Sequence, residues 1–123
     1  MPGKKVFGTA GVPLSPAVRA GDFVYVSGQT PVDANGSIVA GNVEVQTRQV
    51  LENVKAALAL AGCSMDQVVK TLVILEDARD FGAFNRVYAS YFPKEPPART
   101  TLEARLMADI KVEIEAIAYA PER

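Results

Sequence analysis

The sequence predicts an α+β domain of two layers, in which a mixed β-sheet is backed by two α-helices. Apolar residues recur at helical spacing in two segments, whereas β-branched runs or alternation of apolar and polar residues mark four others. These segments follow the order strand, helix, strand, helix, strand, strand, which favours a sheet covered by helices on one face. A length of 123 residues suits one core, so residues 1–123 are expected to form a single domain.

The first strand is predicted over residues 22–28, a short aromatic and β-branched run bounded by glycines. Weaker strand signals precede it at residues 4–8 and 17–20. Residues 31–41 are rich in Pro, Gly, Asp and Asn and contain an Asn-Gly pair that suits a tight turn. We therefore expect a loop there, with room for a small hairpin.

The two helices are predicted from stripes of apolar side chains. Residues 43–61 repeat such side chains at i, i+3, i+4 and i+7, and Gly62 supplies a C-terminal stop. Residues 68–75 are too short and too β-branched for a helix and are expected to be a central strand. In the second helix Asp80 is the candidate N-cap and Pro93 marks the end. Four aromatic residues share one side of this helix and are interpreted as core: Phe81, Phe84, Tyr88 and Tyr91.

The tail of the chain is predicted to be two strands, residues 98–106 and 110–119, joined by a turn at residues 107–109 into a hairpin. Alternation would bring two polar sets together across it: Arg99, Thr101, Glu103 and Arg105 on the first strand, and Glu113 and Glu115 on the second. Periodicity leaves two interpretations open. The sets form either a solvated face of weak cross-strand ion pairs, or an arginine that binds a substrate carboxylate beside a glutamate that handles a proton.

The chain has no histidine, which excludes a Ser-His-Asp triad, a Cys-His dyad and a histidine-ligated metal site. Acid–base chemistry must therefore use carboxylates, hydroxyls, backbone groups or water. The one cysteine, Cys63, cannot form an internal disulfide or a thiolate zinc site. We expect a reducing, cytoplasmic location and assign Cys63 no role.

Charge and hydropathy argue against two classes of partner. Lys and Arg number 13 and Asp and Glu 14, a net charge of −1, and no basic stripe is present, so nucleic acid is not expected as the main partner. The basic N-terminus is not followed by the apolar run of a signal peptide, and no stretch of about 18 apolar residues occurs. We expect neither export nor a membrane span.

Short blocks of residues, taken in order, carry a family signature. Two lie in the tail, at residues 97–102 (Pro-Ala-Arg-Thr-Thr-Leu) and 112–118 (Val-Glu-Ile-Glu-Ala-Ile-Ala). The upstream blocks are Val26-Ser27-Gly28-Gln29-Thr30-Pro31, Gln49-Val50-Leu51-Glu52-Asn53-Val54, Val69-Lys70-Thr71, Asp80-Phe81 and Asn85-Arg86-Val87-Tyr88. Over most of residues 14–119 the chain resembles the RidA/YjgF family of reactive-imine deaminases.

The resemblance implies a chorismate-mutase-like subunit that assembles into a homotrimer, with inward-facing sheets and ligand clefts between neighbouring subunits. It also implies hydrolysis of enamine or imine acids such as 2-aminoacrylate and 2-iminopropanoate to 2-keto acids and ammonia, with no cofactor and no metal. A sheet with helices on one face leaves its other face to be buried, and a closed ring of subunits can bury it.

Five positions match the family's site residues. By the resemblance, Arg99 pairs with the substrate carboxylate and Glu113 lies near the attacking water, so these two are the expected catalytic residues. Ser27 and Asn85 line the cleft, and Thr101, which stands where many members have cysteine, contacts the substrate nitrogen or the water. Plainer alternatives are a cross-strand ion pair for Arg99, an ion pair of Glu113 with Arg105 or Lys111, a backbone hydrogen bond for Ser27 and an exposed helix position for Asn85.

Two departures from the family pattern bear on the substrate. Ala17 stands in place of a tyrosine whose ring closes the family's pocket. Either the cleft is wider, or another ring such as Phe23 or Tyr119 covers it, or activity is reduced. The interval between the two tail blocks is also one residue shorter than in typical members, around residues 103–105, which changes strand register unless a turn or bulge absorbs it.

Three other functions stay open at this point. The chain could be a trimer that binds small carboxylate metabolites without turning them over, or a deaminase for a larger catabolic imine of the aminomuconate or pyrimidine-pathway type. The missing tyrosine gives weight to both. RNA cleavage or translation inhibition has been attached to relatives, and the balanced charge argues against it here.

Overall fold

The computed structural model describes residues 3–122, which form one six-stranded sheet with two helices packed on one face. The elements are β1 (Lys5–Phe7), β2 (Ala17–Ala20), β3 (Phe23–Gln29), α1 (Val43–Leu60), β4 (Val68–Leu75), α2 (Phe81–Tyr91), β5 (Ala98–Glu103) and β6 (Val112–Tyr119). Short 3-10 turns at Met65–Gln67 and Ala78–Asp80 precede β4 and α2. The predicted α+β architecture of two layers is confirmed.

The strands lie in the order β1-β2-β3-β6-β4-β5. Each neighbouring pair is antiparallel except β4 and β5, which run parallel. Parallel neighbours need a crossover connection, and α2 provides it between β4 and β5. The sheet is therefore mixed, as predicted.

The predicted hairpin between residues 98–106 and 110–119 is wrong, because β4 lies between β5 and β6. β5 ends at Glu103, and the predicted turn at residues 107–109 belongs to a longer connection that joins strands two positions apart. The cause is the crossover: helix α2 delivers β5 to one edge of β4, while β6 occupies the other edge.

Both helices bury an apolar stripe against the sheet. The fully buried apolar side chains of α1 and α2 are Val50, Leu51, Val54, Leu58 and Phe84. β6 alternates as predicted, and its buried side chains, which face the helices, are Val112, Ile114, Ala116 and Ala118. The hydrophobic core lies between these two layers.

The C-terminal end of α1 is as predicted, whereas the start of α2 is not; the N-terminal cap of α1, Asn42, was not predicted. The Asn42 side chain accepts a hydrogen bond from the backbone three residues on, at 3.0 Å, and Gly62, with a φ of +76°, follows the last turn. Asp80, the predicted cap of α2, makes no side-chain capping bond. Asp77 instead accepts from the backbone N–H of Arg79 at 2.9 Å, at the start of the preceding 3-10 turn.

The aromatic stripe of α2 is core only in part. Phe84 and Tyr88 are buried, whereas Phe81 is 43% exposed and Tyr91 is partly exposed. The Tyr91 hydroxyl donates to the carboxylate of Glu52 at 2.7 Å, at the edge of the helix pair. The stripe therefore reaches the surface at its ends.

The face of the sheet opposite the helices is left uncovered by the rest of residues 3–122, and it carries large apolar side chains. Phe23, Tyr25, Leu102 and Tyr119 are each exposed in the protomer. The rings of Phe23 and Tyr119 pack together with 5.4 Å between their centroids. An apolar surface of this kind is typical of a region that another surface covers.

Leu51→Ala is expected to lower the free energy of unfolding by about 2–5 kcal/mol, because it opens a cavity at a side chain that is 0% exposed. Leu60→Ala on the same helix is the matched control. Its side chain is 53% exposed, and we expect a loss below about 1 kcal/mol. Urea denaturation at one fixed protein concentration measures both, and equal losses would contradict the described packing of α1.

Candidate active site

Arg99 lies on β5 with its guanidinium against three aromatic rings of α2. Its Cζ is 4.8 Å from the ring centroid of Tyr88, 5.5 Å from that of Phe81 and 5.6 Å from that of Phe84. Its Nη1 donates a hydrogen bond to Asn85 Oδ1 at 2.9 Å. Aromatic faces and an amide oxygen together hold a cation in a partly buried position without neutralising its charge.

The spacing of α2 and the register of β5 build this aromatic platform. The four α2 residues that contact Arg99 stand at i, i+3, i+4 and i+7, so they share one side of the helix. Arg99 is the strand partner of Thr71, whose Oγ1 forms a buried hydrogen bond of 2.7 Å with the Tyr88 hydroxyl. Burial raises the pKa of Tyr88, against smaller opposing effects of Thr71 and Arg99, so the phenol stays neutral.

The Arg99 guanidinium has N–H donors to spare. Within residues 3–122 no carboxylate lies within 4.0 Å of it, and Asn85 is the only group to which it donates. The ion pair that was the plainer alternative is therefore not formed in the described part of the protomer. A planar guanidinium with free N–H groups can bind a carboxylate through two parallel hydrogen bonds.

A surface cavity of about 490 Å³ opens beside Arg99, between α2 and the proline-rich segment before β5. Arg99 and Asn85 supply charged and polar groups, while Tyr88, Phe92 and Pro97 supply apolar walls. A larger cavity of about 850 Å³ lies along the connection after β5 and contains none of the predicted site residues. The smaller cavity is the candidate site because it combines a free cation with an enclosing apolar wall.

Thr101 lies two residues beyond Arg99 and on the same side of β5, toward the helices. Its Oγ1 is buried and has no hydrogen-bond partner among residues 3–122. A buried hydroxyl without a partner costs about 1–3 kcal/mol. Thr101 lines a separate cavity of about 160 Å³ and not the one beside Arg99, so its contact with substrate stays a prediction.

Glu113 lies on the uncovered face of the sheet, where its half-buried carboxylate contacts Gly28 of β3. Burial raises the pKa of Glu113, and the negative charge of Glu115 raises it further. In the described residues no Lys or Arg lies within 4.0 Å of it, so the alternative ion pairs with Arg105 and Lys111 are not formed. The carboxylate is free to accept a proton once it is ionised.

Ser27 lies next to Gly28, on the same strand. Its hydroxyl donates to the backbone oxygen of Ser15 at 2.6 Å, and its N–H donates to that of Pro16 at 3.0 Å. The backbone hydrogen bond that was its plainer alternative is therefore present. Its hydroxyl oxygen can still accept a hydrogen bond from another group.

The predicted site residues fall into two groups. Arg99, Asn85 and Thr101 share the helix side of the sheet, whereas Ser27 and Glu113 share the region of the uncovered face beside Gly28. Arg99 and Glu113 lie on strands that are two spacings apart, about 10 Å, and on opposite faces. The expectation that a hairpin brings Arg99 and Glu113 together is wrong, because β4 separates their strands.

The aromatic platform and Gly28 are not predicted from the sequence. A stripe of rings at helical spacing predicts core, and the signal against a purely structural role is Asn85 within the stripe. A glycine inside a strand signals a bulge or a close approach by another group, and Gly28 next to Ser27 carries that signal.

Ala17, which stands in place of the family's tyrosine, is 0% exposed, because the alternation of β2 turns its side chain into the core. Leu14, three residues earlier, is 49% exposed. Phe23 and Tyr119 pair at the end of β3 and β6 that is distant from Glu113, so within the protomer their rings do not cover it.

Two further classes of feature are absent from residues 3–122. No group of three or more His, Cys, Asp or Glu residues there could hold a metal ion. In the same part of the chain, neither helix combines the length and the hydropathy that a bilayer crossing requires.

Comparison with known proteins finds relatives along nearly the whole chain. The family model described as endoribonuclease L-PSP matches residues 8–120. RutC family protein PH0854 of Pyrococcus horikoshii is 50% identical over 109 residues, which cover 87% of this chain and 86% of that protein. A Salmonella typhimurium protein named 2-iminobutanoate/2-iminopropanoate deaminase is 44% identical over 110 residues, which cover 86% of each.

A solved structure shares the fold as well. The crystal structure of YyfA from Yersinia pestis, described as a protein of unknown function of the conserved Rid protein family, is 38% identical with a TM-score of 0.90. The match covers 96% of this chain and 100% of that one. The match to the family model, the identity to the relatives and this superposition agree, and the chain belongs to the RidA/YjgF family.

Proposed function

We propose that the protein is a cofactor-independent hydrolase of small 2-imino acids and their enamine tautomers, of the 2-iminopropanoate and 2-aminoacrylate type. The products are 2-keto acids and ammonia. The observation that carries the proposal is Arg99, a partly buried guanidinium held by Asn85 and aromatic rings, with no carboxylate partner among the described residues. The relative named 2-iminobutanoate/2-iminopropanoate deaminase supports this substrate class. A cytoplasmic location, expected from the single cysteine, is part of the same proposal.

The working unit in this proposal is a homotrimer with inward-facing sheets, and the site lies between two protomers. Large apolar side chains on the uncovered face support it, because burial against a neighbour removes them from water. Arg99 lies on the edge strand β5, and Glu113 lies on the uncovered face. A neighbour packed on that face can bring the Arg99 group of one protomer to the Glu113 carboxylate of the next.

The proposed chemistry requires orientation of a small acid and the transfer of one proton. An imine carbon is already electrophilic once the nitrogen is protonated, so positioning supplies much of the rate. Arg99 binds the substrate carboxylate, and Thr101 offers its unpartnered hydroxyl to the imine nitrogen. An enamine substrate first gains a proton at C3 and becomes the imine.

Glu113 acts on the attacking water. Its carboxylate accepts a proton as the water oxygen bonds to the imine carbon, which gives a carbinolamine, and it then returns that proton to the nitrogen. The C–N bond breaks with its electron pair leaving on ammonia, and the remaining hydroxyl passes its proton to that ammonia, which gives the keto acid and an ammonium ion. The sum is one imino acid and one water converted to one keto acid and one ammonium ion.

The description of the family model names an endoribonuclease, and we propose imine chemistry in its place. The chain has no histidine and a net charge of −1, whereas RNA binding draws on basic surfaces and stacked aromatic side chains. The cavity beside Arg99, of about 490 Å³, suits a small acid better than a polynucleotide.

Arg99→Ala is expected to lower kcat/KM for 2-iminopropanoate by about 30- to 1,000-fold, because losing the paired hydrogen bonds to the carboxylate removes roughly 2–4 kcal/mol. Arg99→Lys keeps the charge without the planar fork and should fall between this variant and wild type. The imine is generated in situ with an amino-acid oxidase and its decay is followed.

Arg86→Lys is the matched control for these variants, because Arg86 belongs to an exposed ion pair with Glu44. In the presence of Arg86→Lys, the imine should decay at the wild-type rate. Equal decay with wild type and Arg99→Ala would contradict the enzyme assignment. Binding of a 2-keto acid without any decay would indicate a metabolite-binding protein instead.

Mixed trimers test whether protomers share the site. Arg99→Ala and Glu113→Gln should each be nearly inactive alone. When the two variants are refolded together, the mixture should regain about a quarter of the wild-type activity. In random assembly, about one cleft in four contains both an intact Arg99 and an intact Glu113. The control mixes the two variants after separate refolding. Trimers that form without any recovery would contradict a site shared between Arg99 and Glu113 of neighbouring protomers.

The pH profile tests the role of Glu113. The turnover number should rise with pH, because Glu113 must be ionised to accept a proton. The apparent pKa of this rise should be higher than that of an ordinary glutamate, because the pKa of Glu113 is raised. Glu115→Gln removes a like charge, lowers the pKa of Glu113 and should move the acid limb of kcat to lower pH. Glu44→Gln is the control, because Glu44 lies in the helix layer. If neither substitution moves the acid limb of kcat, Glu113 is not the base.

A further inference from the structure

β3 carries a β-bulge where it passes the Glu113 carboxylate of β6. The register between the two strands shifts between Val26 and Gln29, so Ser27 and Gly28 together stand opposite a single residue, Glu115. A bulge bends its strand and re-aims the groups around it, and bulges are common beside active sites.

Gly28 lies in direct contact with the Glu113 carboxylate. A Cβ at this position would overlap Oε2 of Glu113 and lie 3.1 Å from its Cδ. The φ of Gly28 is not in the left-handed region, so its backbone conformation does not require glycine. The position needs glycine for space. By contrast, a Cβ at Gly11 would meet no atom within 4 Å.

Strand β3 is anchored by hydrogen bonds at Ser27, whereas the Glu113 carboxylate is not anchored. Ser27 is hydrogen-bonded through its N–H to Pro16 and through its hydroxyl to Ser15, at 3.0 and 2.6 Å. Glu113 has no ion-pair partner within 4.0 Å in the described residues, and its carboxylate ends a flexible side chain. A side chain added at Gly28 therefore displaces the carboxylate before it displaces the strand.

We propose that Gly28 is a positioning residue for Glu113. The bulge and the missing side chain form a recess that leaves room for the Glu113 carboxylate on the uncovered face, at the place where the reaction requires its base. This inference rests on the proposed function and adds to it the feature that determines where the base lies. Gly28 acts through Glu113 and carries no proton itself.

Gly28→Ala is expected to lower kcat for 2-iminopropanoate by about 10- to 100-fold, since a displaced base misses the attacking water. KM, and the affinity for a 2-keto acid measured by calorimetry, should change by less than about two-fold because Arg99 is untouched. Gly11→Ala is the matched control and should leave kcat and KM at their wild-type values.

A second measurement does not depend on turnover. With ¹³C-labelled glutamate carboxyls, the NMR titration of Glu113, assigned through Glu113→Gln, should move in Gly28→Ala toward that of an exposed glutamate. A wild-type protein that does not hydrolyse imines would overturn the proposed function, and the titration would still test the recess. A Gly28→Ala protein with wild-type kcat and a wild-type Glu113 titration would overturn the positioning role.

A double substitution covers the case in which Gly28→Ala does not fold. Glu113→Asp shortens the side chain by one carbon and makes room for the methyl group. Gly28→Ala/Glu113→Asp should therefore fold, as judged by circular dichroism, and turn over the imine at least as fast as the slower single variant. A double variant that is both less stable and slower than each single variant would mean that Gly28 serves only the strand, and would overturn the proposal.

Discussion

The parallel pairing of β5 with β4 is the interaction on which the candidate site depends. Helix α2 crosses from the end of β4 to the start of β5, so it lies over the strand that it delivers. The register of this pair sets Arg99 beside Thr71, and Thr71 holds Tyr88 beneath the guanidinium. A hairpin between the two tail strands would instead place Arg99 among the glutamates of β6, where ion pairs would occupy its N–H groups.

A guanidinium that is partly removed from water needs compensation, and here ring faces and one amide oxygen provide it. Each ring contact is worth on the order of 0.5–2 kcal/mol, depending on how far water is excluded. A carboxylate partner would also compensate Arg99, but it would use the planar fork that a ligand needs. With Asn85 taking one N–H, the charge stays intact and the remaining donors are held in place for an anion.

Local patterns predict much of this fold, and long-range pairing accounts for what they miss. The helix predicted over residues 43–61 and the strand over 68–75 agree with α1 and β4 to within a residue, because periodicity and side-chain branching act locally. Strand order is not a local property. Two strands that are adjacent in sequence predict a hairpin, but the crossover through α2 places β4 between β5 and β6. The site residues were predicted from the family resemblance and not from periodicity, and the opposite faces of Arg99 and Glu113 were not predicted, because a face follows from register.

Within the protomer, the sheet separates the group proposed to bind an anion from the group proposed to move a proton. Substitutions along α2 and in the proline-rich segment before β5 alter the shape of the space beside Arg99 and leave the bulge at Gly28 untouched. Substitutions around the bulge alter the surroundings of Glu113 and leave the residues that line that space unchanged. Under the proposed function, mutations in one segment can therefore change which acid is accepted, and mutations in the other can change how fast it reacts.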